Sequence, residues 1–318
     1  MKISIVTPAE KQSKNGNRTT AVRWARMLRE LGHQVRIDVD YRGEALDVMI
    51  AIHAWRSADA ILRYRERYAH GPLVVGLGGT DVNTFLKTHP EPTLRSMKLA
   101  DALICLHDLI GNALPKGLRK KLHVVRQSAL PLSGARTPAK RHFDICVIGH
   151  LRDEKDPFRT SWAARLLPES SRVRVIHLGK AHTPEFAKQA RSEMAINPRY
   201  HWLGEVAGWR VRREFSKTHL MVISSNQEGG ANVVSEAIAA NVPVIASDID
   251  GNVGLLGSDY PGLYPVRDEA ALAVLLQRAE SDPRYLKTLA REGRKLKPLF
   301  QPGHERAALK RIVTSVLK

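Results

Sequence analysis

Short apolar runs of strand length alternate along this chain with stretches whose apolar residues recur at helical spacing. Residues 2–6 read as a strand. Residues 19–31 read as a helix with Ala21, Trp24, Ala25, Leu28 and Leu31 on one face and Gly32 as its stop, and residues 33–40 as an alternating strand. Further strand-sized runs fall at 47–52, 73–77, 101–106 and 122–125, then at 143–148, 173–178, 200–203, 221–224 and 242–247. Strands that alternate with helices predict parallel sheets joined by crossover helices, so the fold class is α/β. Between the two groups of strands, residues 129–142 carry Pro131, Ser133, Gly134 and Pro138 among basic side chains and read as a linker. The expected division is a first domain over 1–138 and a second over 139–301, both Rossmann-like, with a last helix over 302–318 returning to the first domain.

Composition narrows the function classes. The 318 residues suffice for about two domains. Fifty Lys and Arg against thirty-two Asp and Glu give a formal charge of +18. The basic residues are scattered along the chain and no nucleic-acid signature motif accompanies them, so small anionic substrates are expected rather than nucleic acid. No run reaches the roughly 18 apolar residues of a membrane span, and the apolar start ends at Pro8, too short for a signal peptide. A cytoplasmic protein without membrane insertion is expected. Cys105 and Cys146 lie inside apolar runs and read as buried reduced thiols.

The chemistry-bearing stretch is 226–256. An apolar strand over 219–225 is followed by Glu228, Gly229 and Gly230, then by a helical pattern through Ala231, Asn232, Val233 and Glu236. A glycine turn before a helix N-terminus offers unpaired N–H groups and a positive dipole end, a natural seat for a phosphate. Carboxylates flank that seat eight positions apart, and each can accept hydrogen bonds from vicinal hydroxyls, as on a hexose or a ribose. Other candidates stand where strands end, the side on which open α/β sheets bind ligands. His53 follows the strand at 47–52; Gly78, Gly79, Thr80 and Asp81 follow the next. Arg152 and Lys155 follow 143–148, with a planar fork and a mobile point charge suited to a diphosphate. The polar turn before the first helix holds Lys14, Asn15, Gly16, Asn17 and Arg18.

Glu228 to Glu236 resembles the Glu-x7-Glu signature of GT-B glycosyltransferases of the family 4 type, and Arg152 with Lys155 resembles that family's Arg-x-x-Lys element. The resemblance implies two Rossmann-like domains facing a central cleft, and a UDP-sugar as co-substrate. It implies a donor site of Arg152, Lys155, Glu228, Gly229, Gly230, Ala231, Asn232, Val233 and Glu236, with His53 near the reacting sugar. Catalytic parts fall to His53, Glu228, Arg152 and Lys155, and no metal is implied. Asp248-Ile-Asp250 matches a metal-binding letter pattern but follows the donor helix and strand. Where the family often has a Gly-Gly pair before its first helix, this chain has Asn15-Gly16-Asn17-Arg18.

That motif, Gly149-His-Leu-Arg152 with Lys155-Asp-Pro-Phe158, Glu228-Gly-Gly-Ala-Asn-Val-Val-Ser-Glu236, and the run 254–262 together resemble the selenosugar synthases of selenoneine biosynthesis. This closer resemblance implies transfer of a hexose, N-acetylglucosamine by expectation, to selenophosphate, held by Gly16, Asn17, Arg18, Thr80 and Asp81. The alternative is an ordinary family 4 transferase with a hydroxyl acceptor.

Overall fold

A computed structural model describes residues 1–12 and 16–317. Two compact units emerge: Met1–Gln127 with Pro302–Lys318, and Ser128–Gln301.

The first unit holds a parallel sheet of β1 (Lys2–Val6), β2 (Gln34–Asp38), β3 (Val48–Ile52), β4 (Leu73–Gly76), β5 (Ala102–Cys105) and β6 (Leu122–Val124), in the order β2-β1-β3-β4-β5-β6. β3, β4 and β5 are buried throughout, because helices cover both faces; this is why they read as continuous apolar runs. One face packs on the helix Gly16–Glu30 through Ala21, Trp24, Ala25 and Leu28. The helix Pro302–Ser315 adds Ala308, Leu309, Ile312 and Val313 to the same cluster. Its attachment is also polar. Glu305, fully buried, accepts from Trp24 Nε1 at 2.9 Å and pairs with Arg23 Nε at 3.1 Å, so the charge is not buried unpaired.

The second unit repeats the plan with β7 (Phe143–Ile148), β8 (Val173–Leu178), β9 (Tyr200–Trp202), β10 (Leu220–Ile223), β11 (Val244–Ser247) and β12 (Leu263–Tyr264), all parallel, in the order β12-β11-β10-β7-β8-β9. Cys105 and Cys146 are buried thiols, one in each unit, and burial pushes both pKa values up to about 12.

Three expectations need correction. The division falls at 127/128 rather than 138/139. The Pro-rich stretch is bound to the second unit: Thr137 N donates to Ser216 O, Ala139 N to Lys217 O, and Arg136 to the carbonyls of Phe215 and Asn241. The first helix begins at Gly16, so Gly16, Asn17 and Arg18 form its first turn rather than the turn before it; Lys14 and Asn15 lie outside the described residues. β12 has only two residues and follows Pro261-Gly262, too short for an apolar run to announce it.

Candidate active site

Strand order brings the candidate residues of the second unit together. From β7 the chain runs outward through β8 and β9, then returns to place β10 on the other side of β7. At such a switch point the loops leaving two neighbouring strands diverge around a crevice at the carboxyl edge. The loops here are 149–157, carrying Arg152 and Lys155, and 224–231, carrying Glu228, Gly229 and Gly230. Two motifs some seventy residues apart in sequence are thereby brought together.

Lys155 Nζ forms an ion pair with Glu228 Oε1, and Ser225 Oγ donates to the same oxygen at 2.6 Å. Both side chains are largely buried, at 21% and 10% exposed. Backbone contacts latch the loops: Asn226 N donates to Glu154 O at 2.8 Å, Asn226 Nδ2 to Asp153 O at 3.1 Å, and Ser224 Oγ to Asp156 O at 2.9 Å. Arg152 extends from the same loop, 38% exposed, with Nε 3.8 Å from Glu154, a separation at which a half-exposed pair contributes little.

Beyond Gly230, whose φ of 117° favours glycine, the helix Asn232–Ala239 begins. Its N-cap is Ala231, which makes no side-chain capping bond, and its first turn holds no acidic residue. The positive dipole end of that turn therefore faces no acidic residue of its own first turn. Val233 sits in the same turn, and Glu236 is exposed on the second.

Residues not singled out from the sequence hold this frame in place. His177, fully buried, has Nδ1 2.9 Å from Tyr200 Oη and Nε2 3.1 Å from Gly149 O, so it donates to the first carbonyl of the Arg152 loop and accepts from the tyrosine. Burial lowers its pKa to about 4. Gly179 approaches so closely that a Cβ there would lie 1.8 Å from Gly149 O. On the other loop, a Cβ at Gly251 would lie 2.5 Å from Glu228 O, so only glycine lets the helix Asp250–Leu256 seat against Glu228. Asp156, left-handed at φ 44°, closes the Lys155 turn and pairs with Arg159 at 2.8 Å, which also pairs with Glu269. The glycines had a sequence signal in their position after strands; His177 had none.

In the first unit the switch point lies between β1 and β3. His53 follows β3 and is buried at 2% exposed, while Thr80, following β4, is exposed. The structure joins them, with His53 Nε2 2.9 Å from Thr80 Oγ1. Asp81, expected as an acceptor-binding residue, is fully buried. Its carboxylate accepts from the backbone N–H groups of Ala54, Trp55 and Gly78 and lies 2.7 Å from His53 Nδ1. Asp81 thus organises the loops after β3 and β4 from a buried position rather than standing exposed as its place after Gly-Gly-Thr suggested. Beside this group Trp55 and Phe85 stack at 3.9 Å, with the Arg56 guanidinium over both rings.

Among the described residues no group of three or more His, Cys, Asp or Glu is arranged to hold a metal ion, and Asp248 and Asp250 are both exposed. Among the same residues no helix is long and apolar enough to cross a membrane.

Comparison with known proteins bears on both units. Residues 134–296, about half the chain, match the family model for glycosyl transferases group 1. The chain belongs to that family and is a glycosyltransferase. It is 22% identical over 275 residues to the glycosyltransferase 1 domain-containing protein 1 of Xenopus tropicalis, covering 78% of this chain and 79% of that protein. It is 24% identical over 279 residues to the putative teichuronic acid biosynthesis glycosyltransferase TuaC of Bacillus subtilis, covering 82% of this chain and 68% of TuaC. Among solved structures, Anabaena Alr3699/HepE in complex with UDP superimposes with a TM-score of 0.81 at 14% identity, over 99% of this chain and 100% of that one. The sucrose-phosphate synthase of Thermosynechococcus elongatus gives 0.79 at 16% identity, over 99% and 98%. The fold is GT-B, with two Rossmann-like α/β domains.

Proposed function

We propose that the enzyme transfers a hexosyl group from a UDP-sugar, with the donor on the second unit. The observation that carries this reading is the convergence, at the β7/β10 switch point, of Arg152 and the Lys155–Glu228 pair with the N-terminus of the helix Asn232–Ala239. A diphosphate placed there meets two cations and the N–H groups of Gly230, Ala231, Asn232 and Val233. Glu228 and Glu236 then accept from hexose and ribose hydroxyls respectively. The UDP complex of Alr3699/HepE supports the choice of nucleotide. Arg152 and Lys155 stabilise the diphosphate as it departs with the electron pair of the broken C1–O bond, a part that in other enzymes a metal can take.

For the acceptor, the motif set supports selenophosphate. A C1–Se bond forms as UDP leaves, and water then cleaves the Se–P bond, giving a 1-selenosugar and phosphate. Gly16, Asn17 and Arg18, in the first turn of a fifteen-residue helix with no acidic residue there, supply N–H groups and a cation for a small anion. A second reading, transfer to a hydroxyl acceptor, is favoured by the relatives, among them a putative teichuronic acid glycosyltransferase. Mass spectrometry of products from UDP-N-acetylglucosamine, with and without selenophosphate, decides between them. A selenium-bearing hexose supports the first reading. A glycoside formed only when a sugar acceptor is supplied overturns it, and failure to consume any UDP-sugar overturns the donor assignment as well.

A further inference from the structure

Two adjacent serines follow β10 in the second unit. Ser224 and Ser225 are both buried, at 3% and 1% exposed, directly after Ile223. A hydroxyl in such a place is expected to have a partner, and these two have different ones. Ser224 Oγ lies 2.9 Å from Asp156 O and 3.2 Å from Lys155 O, so its proton serves the carbonyls at the end of the Lys155 turn. Ser225 Oγ donates to Glu228 Oε1 at 2.6 Å, the same oxygen that Lys155 Nζ takes. One dipeptide thus holds the backbone beneath the cation and the carboxylate that pairs with it.

Ser225 is itself held from behind. Ser247 Oγ, at the end of β11, donates to Ser225 O at 2.6 Å, and Asn252 Nδ2 donates to Ser247 O at 2.9 Å and lies 3.1 Å from Ser247 Oγ. Ser247 and Asn252 are fully buried. Since β10 and β11 are parallel neighbours, a line of hydrogen bonds runs from the helix Asp250–Leu256 across the ends of both strands to the Glu228 carboxylate. Lys155 reaches that carboxylate on a flexible four-carbon stem and supplies charge more than direction. Ser225, on a one-carbon stem tied to the sheet, supplies direction. The Lys155 turn needs a tether for its own reason: Asp156 has φ 44°, a left-handed conformation that is uncommon for a residue with a side chain and is held here at its carbonyl by Ser224 and at its carboxylate by Arg159.

Resting on the reading of Lys155 as a diphosphate contact and Glu228 as a hexose contact, we infer that Ser224 and Ser225 are positioning residues with divided tasks. Ser224 sets the turn that carries Lys155, and Ser225, backed by Ser247 and Asn252, aims the Glu228 carboxylate. Neither serine touches the donor in this scheme. Each acts through its partner, so the loss of one hydroxyl should be felt by the part of the donor that its partner holds.

Calorimetric titration with UDP and with UDP-N-acetylglucosamine separates the two tasks. Ser225→Ala should weaken the UDP-sugar at least about fivefold and leave UDP within about twofold of wild type, because UDP has no hexose. Ser224→Ala should weaken both ligands alike, at least about threefold, because both carry the diphosphate. The same pattern in both variants, or wild-type affinities throughout, overturns the division. Adding Ser225→Ala to Glu228→Ala should cost little further UDP-sugar affinity, since nothing is left to aim; a full additional loss would mean that Ser225 acts only on the fold and overturns its part. If Ser224→Ala does not fold, this cycle still decides for Ser225. A wild-type protein that binds neither ligand overturns the functional reading instead. The contact is then read by urea denaturation, where Ser225→Ala should lower the midpoint less in the Glu228→Ala background than in wild type, and equal shifts overturn the inference.

Discussion

Lys155 Nζ and Glu228 Oε1, on loops leaving β7 and β10, form an ion pair that joins the two proposed donor-site motifs directly. Each compensates the other where both are largely buried, so the site carries the pair without an isolated charge. A diphosphate must share Lys155 with Glu228, and the two residues should act as a unit. Glu228→Gln should lower kcat/KM for the UDP-sugar at least about a hundredfold, roughly 2.7 kcal/mol. Lys155→Met should do likewise, and the double variant should lose less than the product of the two. A double-mutant cycle on kcat/KM checks this, with about 1 kcal/mol or more of coupling expected; strictly additive losses would show that the two residues act on the donor independently and not as a unit.

Gly251 provides a test of how closely Glu228 must be placed. A methyl group there meets Glu228 O at 2.5 Å and Glu228 Cβ at 2.6 Å, and backbone cannot yield as a flexible side chain does. Gly251→Ala should cost about 1–3 kcal/mol of stability and at least about tenfold in kcat/KM. Gly293→Ala, inside the helix Pro283–Leu296 with nothing within 4 Å of its added methyl, should leave activity unchanged and raise stability by about 0.4–1 kcal/mol. Chemical denaturation and steady-state kinetics on the two variants give the comparison. Full activity in Gly251→Ala would mean that Glu228 tolerates displacement.

Among the described residues eleven of the twelve strands were legible, most because parallel strands buried on both faces are apolar runs and β2 because it alternates, and β12 was not because two residues make no run. Lys155 and Glu228 could each be picked out as a residue after a strand. Their pairing could not, since sheet order alone brings them together. Asp81 misled for a related reason: after Gly-Gly-Thr an aspartate looks like an exposed loop residue, and only the approach of the β3 loop adds two backbone donors and a histidine to the Gly78 N–H of its own loop. The unit boundary was misplaced because proline and glycine mark irregular backbone without saying which body it binds, and Arg136 ties that stretch to the second unit. Gly16 and Asn17 read as turn residues by chemistry, yet they open a helix.

Acid should weaken the fold before it titrates the carboxylates. Burial lowers the pKa of His177 to about 4, and burial likewise lowers those of His33, His150, His201 and His219. The unfolded chain takes up protons at these sites near pH 6.5 while the folded protein resists, so the unfolded state binds more protons and stability falls as pH falls. For His177 the loss runs from about pH 6.5 to about 4 and amounts to at most about 3 kcal/mol. Glu214 acts in the opposite direction, since burial raises its pKa, but its window opens only above the ordinary carboxylate value of 4.5. Thermal midpoints should decline steadily from pH 7 to 5 in wild type and decline less in His177→Gln. A flat profile over that range would show that protons reach these rings in the folded state.

Glu236→Gln should separate nucleotide binding from sugar binding. Glu236 is exposed on the second turn of Asn232–Ala239, so Glu236→Gln removes no core packing and should leave the thermal midpoint within about 2 °C of wild type. Its expected partners are ribose hydroxyls, present in UDP and UDP-sugar alike. A charge-assisted hydrogen bond contributes about 1.5–3 kcal/mol, so UDP affinity should fall roughly tenfold to a hundredfold. Glu228→Gln should behave differently, because its expected partners are hexose hydroxyls that UDP lacks: affinity for UDP should stay within about threefold of wild type while affinity for the UDP-sugar falls. Calorimetric titration of both variants with both ligands gives four affinities. If Glu236→Gln binds UDP as tightly as wild type, the ribose is held elsewhere, and the assignment of this helix to the nucleotide fails with it.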